Sequence, residues 1–212
     1  MVTGGRARTT AAAASAVLLT VALAGCVPSG TGGASPSPSS TPSASSSASS
    51  SPLPTPEPLI IPGCETLLPL TTAKSLFSPA TEVLGDTDSV PIVGDELSEV
   101  ETAISDASIA KNCIWGIPNS DGFFSLTIAD INDTDAANLK AALLSSGYLG
   151  ATSGGATTLE LSAENEIGTI ATTHYLVGDL WISVTGTSLN FTTDIADRAL
   201  DEIRTANPTR SY

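Results

Sequence analysis

Between Leu59 and Asn207 the apolar residues recur at two different periods, and the changes of period predict the elements. Thr71 to Phe77 reads as a short helix stopped before Pro79. Leu97, Val100, Ile104 and Ala107 follow a three-and-four spacing that predicts a second helix, opened by Asp95. From Lys111 to Ile117 and from Gly122 to Ile131 the period drops to two, with Phe124, Leu126 and Ile128 alternating with Ser125 and Thr127. These are two strands joined by a turn over Pro118, Asn119, Ser120 and Asp121. A third helix follows, with Asp133 as N-cap, Ala136, Leu139, Leu143 and Leu144 on its buried side, and Gly147 as its stop. Ala156 to Ala163 is a strand with Leu159 and Leu161 on one face. Thr169 to Val177 and Leu180 to Thr185 flank Gly178-Asp179, a two-residue connection suited to a tight hairpin. The last helix, Thr193 to Thr205, aligns Ile195, Ala199 and Ile203 beside Ala196 and Leu200, with Asp194 and Asp197 in its first turn and Arg204 in its last, and Pro208 ends it. Helices interleaved with antiparallel strands predict an α+β fold, an antiparallel β-sheet flanked by helices.

Ahead of this patterned region the chain changes character twice. An apolar stretch from Ala16 to Ala24 stands behind Arg6 and Arg8 and closes on Leu23-Ala24-Gly25-Cys26. That arrangement resembles the lipobox of bacterial lipoprotein signal peptides: a short positive segment, an apolar helix too short for a mature anchor, small residues at the processing site and a thiol to be lipidated. The resemblance implies that residues 1–25 are a removed signal peptide. Cys26 then carries a diacylglyceryl group and becomes the new N-terminus. Two acyl chains on one cysteine suffice for stable anchoring. From Ser29 to Glu57 the composition falls to mainly Ser, Pro, Thr, Ala and Gly, with no aromatic residue and one charge, at Glu57. Such a stretch buries too little apolar area to offset its ordering entropy. Residues 26–57 therefore read as a lipidated cysteine and a disordered tether, reaching about 30 Å as a coil. Residues 58–212 read as a single extracytoplasmic domain.

Charge and cysteine count narrow the partners. Loss of residues 1–25 takes Arg6 and Arg8 and leaves six basic residues against 22 acidic ones, a formal charge of −16. Such a chain repels nucleic acid and anionic headgroups, so its contact with the membrane goes through the lipid. With Cys26 lipidated, Cys64 and Cys113 are the remaining pair, and outside the membrane they read as a disulfide, with two buried free thiols as the alternative. Cys64, Leu67, Leu68, Ala73 and Leu76, followed by Cys113-Ile114-Trp115 opening a strand, are similar to a pattern in uncharacterised actinobacterial lipoproteins, in which a Cys-x-x-Leu-Leu segment leads a short helix and a Cys-x-Trp strand follows. That resemblance implies a sheet flanked by helices of the kind seen in Mog1 and PsbP proteins. It carries over no catalytic residue.

Candidate chemistry is sparse. His174 is the chain's only histidine, so any Ser-His-Asp arrangement must use it and two-histidine zinc sites are excluded. Hairpin register over Gly178-Asp179 places it opposite Ser183, on the face away from Tyr175 and Ile182, where it reads as half-exposed and without a catalytic role. Asp130 to Asp135 begins like a calcium loop but has Asp135 where Gly is required and Ala141 where Glu is required, so it reads as a helix start with acids in the first turn. Asp86, Asp88, Asp95, Glu96, Glu99 and Glu101 read as a solvated acidic loop and helix face. Trp115 and Trp181 are candidates for a sugar platform, with core packing as the competing reading. The sequence thus describes a lipid-anchored protein of the extracytoplasmic face, without cofactor or metal, acting as a non-catalytic module that binds an envelope protein or small ligand. A carboxylate-dependent hydrolase and an accessory subunit of a membrane complex are the rival readings.

Overall fold

The computed structural model describes residues 57–88, 97–164 and 168–212. Cys26, the leader, the tether up to residue 56, and Asp95 and Glu96 lie outside the described residues. The described residues form one compact unit. Along it run α1 (Cys64–Leu67), α2 (Leu70–Leu76), β1 (Glu82–Thr87), α3 (Ser98–Ser105), β2 (Ile109–Gly116), β3 (Phe123–Asp130), α4 (Asp133–Ser145), β4 (Leu149–Ser153), β5 (Ala156–Glu164), β6 (Thr169–Val177), β7 (Leu180–Gly186) and α5 (Leu189–Ala206). The strands make one antiparallel sheet in the order β1-β2-β3-β7-β6-β5-β4. It is two meanders joined edge to edge at β3 and β7. Helix α4 carries the chain from the end of β3, at the centre, to β4 at the far edge. The fold is the expected α+β class, an antiparallel sheet flanked by helices.

Strand alternation sends side chains to both faces, and both are cores. On one, Cys113, Trp115, Phe124, Leu126, Ile128, Ile182 and Val184 pack against α1, α2 and the Ile195, Ala199, Ile203 stripe of α5. On the other, Ala129, Leu159, Leu176 and Trp181 pack against Val100 and Ala103 of α3 and Leu139 and Leu143 of α4. Close approach to the first face depends on Gly186, where an added Cβ would stand 2.7 Å from the Phe191 ring. The disulfide joins Cys64 to Cys113 with Cα atoms 5.6 Å apart, tying α1 to β2 within the first core.

Several expectations need correction. The N-cap of α4 is Asn132, whose side chain accepts from the Thr134 and Asp135 amides, with Asp133 already helical. Leu144 is 46% exposed, because it stands about 100° around the helix from Leu143 and leans instead toward Gly150 of β4. Helix α5 begins at Leu189 with Ser188 as cap, so Asp194 and Asp197 fall beyond its first turn. The alternation gave no sign of β1 and β4, which are the two edges of the sheet. β4 is exposed throughout, and β1 carries Gly85, Asp86 and a bulge between Val83 and Gly85.

Candidate functional site

The hairpin register was read correctly from its turn: Val177 faces Leu180, Tyr175 faces Ile182 and His174 faces Ser183, around Gly178 at φ 57°. Extending that register across β3 and β2 aligns three rows on the α3/α4 face. The first, Ala110, Ala129, Trp181 and Leu176, is apolar; the second is Asn112, Thr127, Ser183 and His174; the third is Ile114, Ser125, Thr185 and Thr172. Asn112 Nδ2 donates to Thr127 Oγ1 at 2.9 Å within the second row, and the hydroxyls of Thr172 and Thr185 are 3.4 Å apart in the third. Asn112 is buried, and among the described residues its Oδ1 accepts no hydrogen bond.

His174 is not half-exposed, as the alternation suggested; it is fully buried. Alternation assigns a residue to a face, but burial depends on what that face meets. Here the Tyr148 ring, brought from the end of α4, lies 5.1 Å away, and the Trp181 ring stacks at 6.0 Å. Trp181 Nε1 donates to His174 Nδ1 at 3.2 Å. An Nδ1 that accepts carries no proton, so that hydrogen bond places the ring proton on Nε2. The nitrogen able to take a proton is therefore occupied by an indole, and Ser183 does not gain a general base from this histidine.

Neither tryptophan is a sugar platform. Trp181 is buried under α3 and α4, while Trp115 is buried on the opposite face with its ring stacked on Phe124 at 5.3 Å and 11°. Four of the candidate acids are likewise occupied. Asp130 pairs with Arg210 at 3.3 Å, and Asp135 accepts from Asn132 Nδ2 at 2.6 Å, so the calcium-like run is spent on a clasp and a cap. Lys111 Nζ lies 2.8 Å from Asp86 and 2.9 Å from Asp88. Its hydrogen bond holds the Asp86 carboxyl below the usual carboxylate range, and the same bond raises Lys111. Among the described residues no group of three or more His, Cys, Asp or Glu is arranged to hold a metal ion. A cleft of about 690 Å³ beside Ile104 and Ile109 contains Lys111, whose ammonium is already held by the two aspartates.

What remains unspent is the end of the α3/α4 face beyond the hydroxyl rows. An added Cβ on Gly116 would stand 2.8 Å from both Leu84 Cδ1 and Phe123 Cβ, so these two side chains close over the glycine. Leu84, Phe123 and Ile170 are 46%, 39% and 41% exposed, and with Ile114 they belong to neither core cluster. The periodic pattern showed Phe123 and Ile170 only as strand ends, and gave no sign that Leu84 joins them, because β1 itself was missed.

Comparison with known proteins gives little more. No protein-family model matches the chain, and no curated protein sequence matches it. The crystal structure of the extracellular domain of PknH from Mycobacterium tuberculosis is similar over 66% of this chain and 93% of that chain, at 11% sequence identity and a TM-score of 0.47. No described helix is long and apolar enough to cross a membrane.

Proposed function

We propose that the protein is a lipoprotein of the extracytoplasmic face, anchored through Cys26, whose domain is a non-catalytic interaction module for another envelope protein. The observation that carries the reading is the apolar end of the α3/α4 face: Leu84, Phe123 and Ile170 stand exposed at the sheet end opposite Glu57, where the tether joins. Exposed apolar side chains beside a row of uncharged residues suit a protein contact better than a charged ligand. The buried Cys64–Cys113 disulfide supports the compartment, since such bonds persist where the surroundings are oxidising.

Three measurements test the reading. Cys26→Ala should move the protein out of the membrane fraction or leave it unprocessed; unchanged fractionation would end the claim of lipid anchoring. A photo-crosslinking residue at Phe123 should capture a defined envelope protein in cells, and Ile170→Asp should abolish that capture while the domain stays folded. Capture that is indifferent to Ile170→Asp, or equal from a crosslinker at Glu202 on α5, would remove this face from the reading. Hydrolysis of an ester, peptide or glycoside substrate by the purified protein would replace it with the hydrolase.

A further inference from the structure

The opposite end of the sheet is built around the root of the tether. Residues 57–63 belong to no helix or strand, yet their backbone is held by side chains from the last six residues of the chain. The Asn207 side chain grips both polar groups of Ile60: Oδ1 accepts from the Ile60 amide at 2.8 Å, and Nδ2 donates to the Ile60 carbonyl at 2.8 Å. Asn207 Nδ2 also donates to Ile203 O at 2.8 Å, which fixes the side chain to the end of α5. Arg210 donates to the Glu57 carbonyl through Nε at 2.8 Å and through Nη2, and Thr209 Oγ1 donates to the Glu57 carboxylate at 2.8 Å.

Arg210 is itself embedded, with 8% of its side chain exposed. Nη1 meets Asp179 at 2.9 Å and the Tyr212 hydroxyl at 2.6 Å, Nη2 meets Asp130 at 3.3 Å, and Tyr212 donates on to Asp179 at 3.1 Å. Asp179 is the β6–β7 turn and Asp130 the end of β3, so the grip on Glu57 is transmitted to the centre of the sheet. Every bond to Ile60 goes to backbone, as does the guanidinium's grip on Glu57. Four residues beyond Ile60 the chain is joined covalently to β2 through Cys64 and Cys113.

We infer that residues 207–212 are a clasp that takes tension arriving through the tether, and that the disulfide is its backstop. Load on the tether falls first on the clasp. When the clasp opens, residues 57–63 peel away, and Cys64 halts the peeling because its sulfur is bonded into β2. The freed length is seven residues, about 25 Å at full extension. This rests on the tether being an anchor, but the clasp is measurable in the unlipidated chain, so loss of the lipid reading leaves its test standing.

The full-length protein is held by handles at its N-terminus and at a non-cysteine reactive residue replacing Ser120, in the β2–β3 turn, and stretched. A reversible opening of about 25 Å should precede unfolding of the sheet. Arg210→Gln and, separately, Asn207→Ala should lower the force at which it occurs. Reduction of the disulfide should let the opening run past residue 64. Hydrogen exchange on the unstretched protein gives the second readout: in both variants the Ile60 amide should exchange at least about tenfold faster while Ile128 and Ile182 keep their protection. No opening before the sheet unfolds, an opening unchanged in both variants, or exchange that rises equally throughout the domain would each overturn the inference.

Discussion

Trp181 Nε1 and His174 Nδ1 are hydrogen-bonded in an interior where neither residue meets solvent, and that sets what the bond is worth. Replacing His174 by Ala strands a buried indole donor and opens a cavity beneath Tyr148. The expected loss is about 3 kcal/mol, read from urea unfolding, with a substantial part regained when Trp181→Phe removes the stranded donor. Asp197 is a contrasting case on the surface. Burial pushes its carboxyl up, helped by the neighbouring charges of Asp201 and Asp194, so the folded state favours its protonated form. A raised folded value means that stability from this group is present at low pH and is lost as pH rises through that value. Asp197→Asn should therefore be neutral or stabilising at pH 7, by no more than about 0.5 kcal/mol, with the advantage vanishing in acid. A variant less stable at pH 7 than at pH 3, relative to the parent, would contradict that sign.

At the scale of elements, the termini and edges are where physical detail outweighs periodicity. Asp133 and Asn132 are adjacent and both favour helix starts, but only Asn132 has extended backbone, φ −74° and ψ 162°, that aims its oxygen at two free amides. Asn132→Ala should cost about 1 kcal/mol in thermal unfolding, and Asp133→Ala should cost clearly less. The helix stripes and the central strands were legible because burial on a fixed face imposes a period on the sequence. β4 was illegible for the same reason: as an edge strand with every residue exposed, it is joined to β5 by backbone pairing and a Thr152–Thr157 hydroxyl contact at 3.4 Å, and neither imposes an apolar period on the sequence. β1 adds a bulge, which breaks the period where it would have been read.

Across the whole molecule, the disulfide spans a sequence separation of 49 and links the tether-side segment to an inner strand. Cys64→Ala with Cys113→Ala should lower stability by about 4 kcal/mol, within the range for closing a loop of that size. The measurement is the denaturant midpoint of the oxidised parent against the double variant. The Arg210 and Asn207 contacts at one sheet end and the exposed apolar side chains at the other give the domain two dissimilar poles, one holding residues 57–60 and one facing away from them.

Local pattern along the chain was enough to set the class of fold, the hairpin register, the α5 stripe and the pairing open to Cys64 and Cys113 once Cys26 is assigned to lipid. Each of these follows from spacing along the chain, or from a count. Tertiary structure alone decided that His174 is buried, that Asn132 displaces Asp133 as cap, that Leu84 reaches Phe123 over Gly116, and that Arg210 closes on Glu57 from 153 residues away. Those outcomes depend on which elements lie over which faces. A local period fixes the side of an element on which a residue stands and carries no term for what arrives to cover it.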